Sequence, residues 1–397
     1  MPPVRSFDVA ERRARLGRRH HLAPGVGATD VTSLTTGLVA LHATDAAAVY
    51  LAAGARCDGL VPADVERALY DDRTLVRLLG MRRTMFVVTA PLVPVVHAAC
   101  TRAIAARERR RLVGQIEGAG IAEDGDTWLA AVEDATLAAL ARRGEATARE
   151  LGADVDELRI QIPTAVGKAY EGKRGLSTAV LAALAAAGRV VRGRPLGSWV
   201  STQYRWAPVD AWLAPLHRGV DDLDTATAQV ELARRWLAAF GPATVADLRW
   251  WTGWTAREAT RALTEIGAVE VALDGGSGVV LPDDLEPEPA PEPWVALLPA
   301  LDPTLMGWKE RDWYLCGHAP ALFDRSGNPG PTVWVDGRIV GGWAQRKDGE
   351  VATRLLEDIG AEASSAVDDQ AERLATWLGD IRVTPRFRTP LERELSG

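Results

Sequence analysis

Val190-Val191-Arg192-Gly193-Arg194-Pro195-Leu196-Gly197-Ser198-Trp199-Val200-Ser201-Thr202-Gln203-Tyr204-Arg205-Trp206 reads as a two-stranded hairpin with glycine at its tip. Ahead of it lie an amphipathic stretch over residues 128–142, the helix start Thr147-Ala148-Arg149-Glu150-Leu151-Gly152, and a helix over residues 177–187. A helix, a helix-turn-helix and such a hairpin in succession make a winged helix.

The same unit recurs on both sides. Before it, helices over residues 33–41, 46–57 and 62–70 precede the strands Leu75-Val76-Arg77-Leu78 and Thr84-Met85-Phe86-Val87-Val88, with Arg82-Arg83 at the turn. After it come helices over residues 230–240, 244–248 and 255–266, then Val269-Glu270-Val271-Ala272-Leu273 and Gly278-Val279-Val280-Leu281. Gly275-Gly276-Ser277-Gly278 lacks the Lys-Ser/Thr ending and following helix of a phosphate-binding loop, so it is a wing tip. The Pro and acid run of residues 282–293 is a linker or extended strap. Beyond it, strands are expected at residues 295–298, 313–316, 331–343 and 383–386 with one helix at 367–378, and Asp336-Gly337 marks a hairpin. The fold expected is α+β: three tandem winged-helix domains, then a small antiparallel β-barrel with an added helix. The boundaries fall at residues 1–118, 119–218, 219–282 and 283–397.

At 397 residues the chain is long enough for several compact domains. It has no run of eighteen uncharged apolar residues and no apolar stretch behind Arg5, so neither a membrane span nor a secretory signal is read, and a cytoplasmic protein is expected. Cys57, Cys100 and Cys316 are far apart without neighbours at ligand spacing, which argues against zinc and disulfides; they read as small buried hydrophobes. The net charge of −7 is uneven: residues 1–200 carry 27 Lys and Arg against 22 Asp and Glu, or +5, leaving −12 for the rest. Basic tracts that can neutralise phosphates include Arg12 to Arg19, Arg82-Arg83, Arg107 to Arg111, Lys168, Lys173-Arg174, Arg189, Arg192, Arg194 and Arg205. A solvated helix face is the other reading of Arg107 to Arg111. Most tryptophans read as packing residues, and His20-His21 as a helix end or a phosphate contact.

In Leu38-Val39-Ala40-Leu41-His42-Ala43-Thr44-Asp45-Ala46-Ala47-Ala48-Val49-Tyr50, three polar side chains occupy the gap between two apolar helical patterns. His42 as the last residue of one helix and Thr44 as the cap of the next can converge on one water, with His42 as a base of near-neutral pKa. Thr44 and Asp45 are also ordinary helix-start residues, and a histidine at a helix end is favoured by the dipole alone.

This corner tract, the Gly193-Arg194 hairpin, Leu297-Leu298-Pro299-Ala300-Leu301-Asp302-Pro303-Thr304-Leu305-Met306-Gly307-Trp308-Lys309-Glu310-Arg311 and Pro331-Thr332-Val333-Trp334-Val335-Asp336-Gly337-Arg338 resemble the AlkZ/YcaQ-type winged-helix DNA glycosylases of bacteria, over residues 30–390. The resemblance implies a C-shaped body around DNA, excision of N7-alkylated purines and, in some members, unhooking of interstrand crosslinks. The family's Gln-x-Gln or Gln-x-Asp signature falls on His42-Ala43-Thr44, where both polar positions depart from the usual residues. It implies that His42 and Thr44 position the attacking water in a solvent-accessible corner on the concave side, with Asp45 adding negative potential. Excision should then weaken below pH 6.5, the ordinary histidine pKa. Without a lysine in the corner to form a Schiff base, a monofunctional enzyme needing no metal or cofactor is expected. The partner expected is double-stranded DNA carrying alkylated bases, held by a monomer through Arg82, Arg83, Lys173, Arg174, Arg192 and Arg194. The alternative is a winged-helix DNA-binding or regulatory protein without catalysis.

Overall fold

Asp30, Asp45, Asp124, Thr147, Asp224, Thr244 and Thr255 each begin a helix by accepting a backbone N–H from its first turn. Short polar caps satisfy donors that the helix itself leaves unpaired. A computed structural model describes residues 5–164, 172–213 and 223–397; Lys168 lies outside them. Among these residues one order of elements occurs three times.

In the first unit the helix Val31–Gly37, the strand Leu41–His42, the helix Ala46–Gly54, the helix Pro62–Glu66 with its wider continuation Arg67–Asp71, and the strands Leu75–Leu79 and Met85–Thr89 follow one another. Met85–Thr89 is the middle strand, antiparallel to both others. The second unit has the helices Gly125–Arg143, Ala148–Asp154 and Leu176–Ala186 with the strands Ala146–Thr147, Val190–Pro195 and Tyr204–Pro208. A small extra hairpin, Gln161–Thr164 with Gly172–Gly175, stands within it. In the third unit the helices Thr225–Phe240, Val245–Thr252 and Ala256–Ile266 precede the hairpin Val269–Leu273 and Gly276–Val280. Here the third strand comes from the far end of the chain, because Ser6–Phe7 pairs parallel to Val269–Leu273.

The helix expected over residues 33–41 stops at Gly37, and Val39 adopts the left-handed conformation (φ 65°). The chain thereby turns Leu41 and His42 onto the free edge of Met85–Thr89, opposite Val87 and Phe86. His42 is a strand residue, not a helix end.

The expected β-barrel is also corrected. The C-terminal strands Val295–Leu298, Thr332–Val335, Arg338–Gln345 and Val351–Leu355 form an open antiparallel sheet in that order. The outer strands do not meet, because the helix Ala361–Leu378 packs against both. Asp336 (φ 47°) and Gly337 (φ 81°) make the tight turn expected between the middle strands. Residues 313–316 are not a strand: the helix Asp312–Leu315 ends at a left-handed Cys316, which is exposed rather than buried. Residues 383–386 also form no strand; Val383 and Arg386 give their N–H groups to the side chains of Gln345 and Asp45.

Ala46–Gly54 is apolar on all sides, and its first eight residues are buried. Tyr50 packs on Trp199, in the loop between Val190–Pro195 and Tyr204–Pro208 of the second unit (centroids 4.9 Å), and Trp199 packs on Trp377 of Ala361–Leu378 (5.9 Å). This helix therefore joins the first unit to the second and to the C-terminal region, and its N-terminus is the corner at residues 42–45.

The acidic strap has a defined partner. Asp284 pairs with Arg15 (2.6 Å) and Arg19 (2.7 Å), Glu288 pairs with Arg19 (3.1 Å), and the Pro289 carbonyl accepts from Arg18 (3.0 Å). No helix among the described residues is long and apolar enough to cross a membrane.

Candidate active site

His42 is only 3% exposed. Its ring meets the edge of Phe86 at 5.0 Å between centroids. Burial, and after it the charge of Arg82, holds its pKa down to about 3, so the imidazole is neutral in ordinary buffers. The Thr44 N–H points at His42 Nδ1, at a long 3.5 Å. That leaves the ring hydrogen on Nε2. In this tautomer and at this pKa, His42 is a weak proton acceptor, which corrects the expectation of a solvent-facing base near pH 6.5.

Thr44 and Asp45 are half-buried, so the polar edge of the corner belongs to them. Thr44 Oγ1 accepts the Met85 N–H (3.2 Å), which fixes the side chain against the middle strand. Asp45 caps the helix through Oδ1, which accepts from Ala47 (3.0 Å), while Oδ2 accepts from the Arg386 N–H (2.9 Å). Both carboxylate oxygens thus bind backbone N–H groups, and no ion pair with Asp45 is found among the described residues. The capping reading of Asp45 is met, and its charge is available to the corner.

Arg77 and the Arg386 backbone lie against this corner, and Arg192 lies near Arg77. Arg77 is 4% exposed and donates through Nη1 to the Ala43 carbonyl (3.1 Å), holding the tract from behind. Arg192 lies over Tyr204 (5.5 Å) and Trp206 (5.3 Å). Burial, then the charge of Arg77, with Arg386 contributing, brings Arg192 down to about 10. Arg77 was visible in the sequence as the lone charge inside the apolar strand Leu75-Val76-Arg77-Leu78, and the sequence reading passed over it as a site residue. Arg386 belonged to a segment taken for a strand.

The expected phosphate contacts divide into two groups. Arg83 and Arg174 come together, with Arg83 exposed beside Glu108 (3.2 Å), and Lys173 is exposed on the small hairpin. Arg174 is lowered by burial, then by Arg111, with Arg83 adding to the effect. Arg82 lies at the turn between Leu75–Leu79 and Met85–Thr89, over Trp250 (3.9 Å). Arg194 does not belong with them, since it pairs with Glu66 and with both oxygens of Asp71, all at 2.9 Å. Its charge is committed to the first unit. In the Arg12 to Arg19 tract, Arg15, Arg18 and Arg19 are bound by the strap, Arg13 donates to the Trp313 carbonyl (3.0 Å) and Arg12 lies over the Trp313 ring (4.2 Å). Arg109 of the 107–111 tract pairs with Glu133 (2.5 Å) and Asp126 (3.1 Å). His20 is buried, with Nδ1 at 2.7 Å from Thr304 Oγ1, so it is a packing residue and not a phosphate contact.

A cavity of about 790 Å³ opens between the end of Ala46–Gly54, residues 293–297 and Ala361–Leu378. None of the expected site residues lines it.

The family model described as DNA glycosylase AlkZ-like matches residues 35–377. The solved DNA glycosylase AlkZ of Streptomyces sahachiroi superimposes with a TM-score of 0.70 at 19% identity, covering 96% of this chain and 99% of that one. No curated protein matches by sequence.

Proposed function

Because the chain belongs to the AlkZ-like DNA glycosylase family, we propose that it is a monofunctional glycosylase that hydrolyses the N-glycosidic bond of N7-alkylated purines in double-stranded DNA. The observation that carries the reading is the family match running through the corner that holds His42, Thr44 and Asp45. We read the three repeated units as winged helices curving around the duplex, with domain limits near residues 118, 218 and 282. Crosslinked purines belong to the same leaving-group class.

An N7-alkylpurine is already cationic, so its C1′–N9 bond can break with the electron pair passing to the base and no acid on the protein. What remains is to hold a water at C1′ and to place negative charge beside the oxocarbenium-like sugar. Thr44 Oγ1 can hold the water, and the Asp45 carboxylate supplies the charge and takes the proton released as the C1′–O bond forms. His42 acts from behind, through the Thr44 N–H, as a positioning residue. General-base assistance is worth about 10²- to 10⁴-fold, so a weak base slows such an enzyme without abolishing the reaction.

The test is release of N7-methylguanine from a duplex, scored as abasic sites, by the native protein and by Thr44→Ala, Asp45→Asn and His42→Ala. Loss of excision in Asp45→Asn with DNA binding retained supports the assignment. The burial of His42 favours one other reading, a DNA-binding or regulatory protein without catalysis. Native protein that binds the lesion duplex and releases no base decides for that reading.

A further inference from the structure

Trp250, on the helix Val245–Thr252, is flanked by two guanidinium groups from distant parts of the chain. Arg82 Cζ lies 3.9 Å from the Trp250 ring centroid and Arg311 Cζ lies 5.0 Å from it. Arg311 also rests 5.0 Å from the Phe323 ring. Among the described residues neither arginine has a carboxylate within ion-pair distance. Arg82 Nε and Arg311 Nη1 are buried N–H donors without an acceptor, and Arg311 Nε reaches only the Lys309 carbonyl at 3.5 Å. Stacking on an indole attracts a guanidinium but offers nothing to its in-plane N–H groups. Two like charges over one ring also repel: burial, then Arg311, brings Arg82 down to about 10.

The backbone points the same way. Arg82 (φ 53°) and Arg83 (φ 62°) are consecutive left-handed residues, neither of them glycine. Such conformations persist where surrounding structure enforces them, and they gather at ligand clamps. Gly253 (φ 80°) packs against this turn at ordinary van der Waals distance, a Cβ there falling 3.5 Å from Arg82 N. A hydrophobic turn would have needed none of this.

We propose that Arg82 and Arg311 form a clamp for one phosphate, with Trp250 as its spacer, and that the occupant is a phosphodiester of the bound DNA strand. The identity of the occupant rests on the glycosylase reading above. Phosphate oxygens can meet the remaining terminal N–H groups, Arg82 Nη1 and Nη2 and Arg311 Nη2, which are not among the buried atoms and have no protein acceptor among the described residues, and guanidinium forks match phosphate in geometry. The negative charge also removes the repulsion between the two cations. Arg311 enters the DNA interface this way, from a C-terminal loop in which the sequence showed no basic tract.

Binding of an undamaged duplex across 50 to 200 mM salt, for the native protein, Arg311→Ala and Arg311→Lys, tests the clamp. One lost phosphate contact lowers the slope of log K against log salt by about 0.9. The expected result is that loss in Arg311→Ala, about tenfold weaker binding, and a partial loss in Arg311→Lys, which keeps charge without the fork. A scan of single methylphosphonate substitutions along the duplex needs no variant fold: one position should weaken native binding and have no effect on Arg311→Ala. If native protein binds DNA and Arg311→Ala keeps its slope and every methylphosphonate effect, the clamp is overturned and the glycosylase reading stands. If native protein binds no DNA while inorganic phosphate, followed by calorimetry, binds native protein and not Arg311→Ala, the site takes a free phosphate and the proposed occupant is overturned. Binding of neither probe overturns the clamp together with the DNA reading.

Discussion

Arg56 and Asp302 form a two-pronged ion pair whose side chains are both wholly excluded from solvent, with Nη1 to Oδ2 at 2.9 Å and Nη2 to Oδ1 at 2.6 Å. The other three guanidinium donors go to the carbonyls of His20 and Ala52 and to Thr304 Oγ1, each at 2.9 Å. All five are satisfied. The pair ties the residues after Ala46–Gly54 to the turn after Val295–Leu298. Asp302→Ala strands a buried cation and should cost about 3 to 5 kcal/mol in urea unfolding, whereas Arg56→Met with Asp302→Leu should recover much of that. A single-variant cost below about 1 kcal/mol would contradict the role assigned to the pair.

Excision, once measured, should not titrate with His42 at working pH. An imidazole lowered to about 3 is neutral throughout pH 5 to 8, so the limb that an ordinary histidine would place near pH 6.5 lies below this range. The native protein and His42→Gln should give parallel profiles over those three pH units. A native-only fall in rate below pH 6.5 would show that DNA opens the site and restores an exposed imidazole.

The same lowering has a consequence for stability. His20 is also held well below its ordinary value, by burial first and then by Arg56. A histidine whose folded pKa is depressed contributes stability that is complete above its unfolded pKa and is lost as pH falls toward the folded one. For His42 that window runs from about 6.5 down to about 3. Between pH 7 and 5.5 the native protein should lose about 1 kcal/mol more than His42→Gln, from the one proton the unfolded chain takes up there. Equal losses, by denaturant titration at the two pH values, would refute a buried neutral His42.

Salt dependence separates free cations from committed ones. Arg174→Ala should lower the slope of log K against log salt by about 0.9, because the Arg174 guanidinium bonds Gln115 Oε1 and has no carboxylate at ion-pair distance among the described residues. Arg18→Ala and Arg194→Ala should leave it unchanged, because the Pro289 carbonyl and the Glu66 and Asp71 carboxylates already hold those groups. A drop of one unit on removing Arg194 would mean that DNA breaks its ion pairs.

Much of the fold was legible because its signals are local. The caps Thr147 and Thr255, the Asp336-Gly337 turn and the strands around residues 75–89 lie where periodicity and turn chemistry put them. What escaped depended on partners far along the chain. Leu41 and His42 have a helical apolar spacing, and they became a strand only because Met85–Thr89 offers a free edge. Residues 383–386 have strand composition, yet their N–H groups went to side chains on other elements. The basic tracts likewise gave no hint of which arginines are paired: the strap that binds Arg15 and Arg19 is some 265 residues away. The corner was found by its polar residues, and its accessibility was not, since burial of His42 depends on Phe86 folding over it.

The parallel pairing of Ser6–Phe7 with Val269–Leu273 sets an order on synthesis. During translation Ser6–Phe7 must wait for some 260 further residues before its strand partner exists, and the helix Val9–Arg19 must wait as long for Asp284 and Glu288. Until then its arginines face solvent, free to meet any polyanion nearby. Arrival of the strap is what withdraws Arg15, Arg18 and Arg19, so a chain halted before Asp284 would present a cationic arm that the finished protein holds in ion pairs and a hydrogen bond.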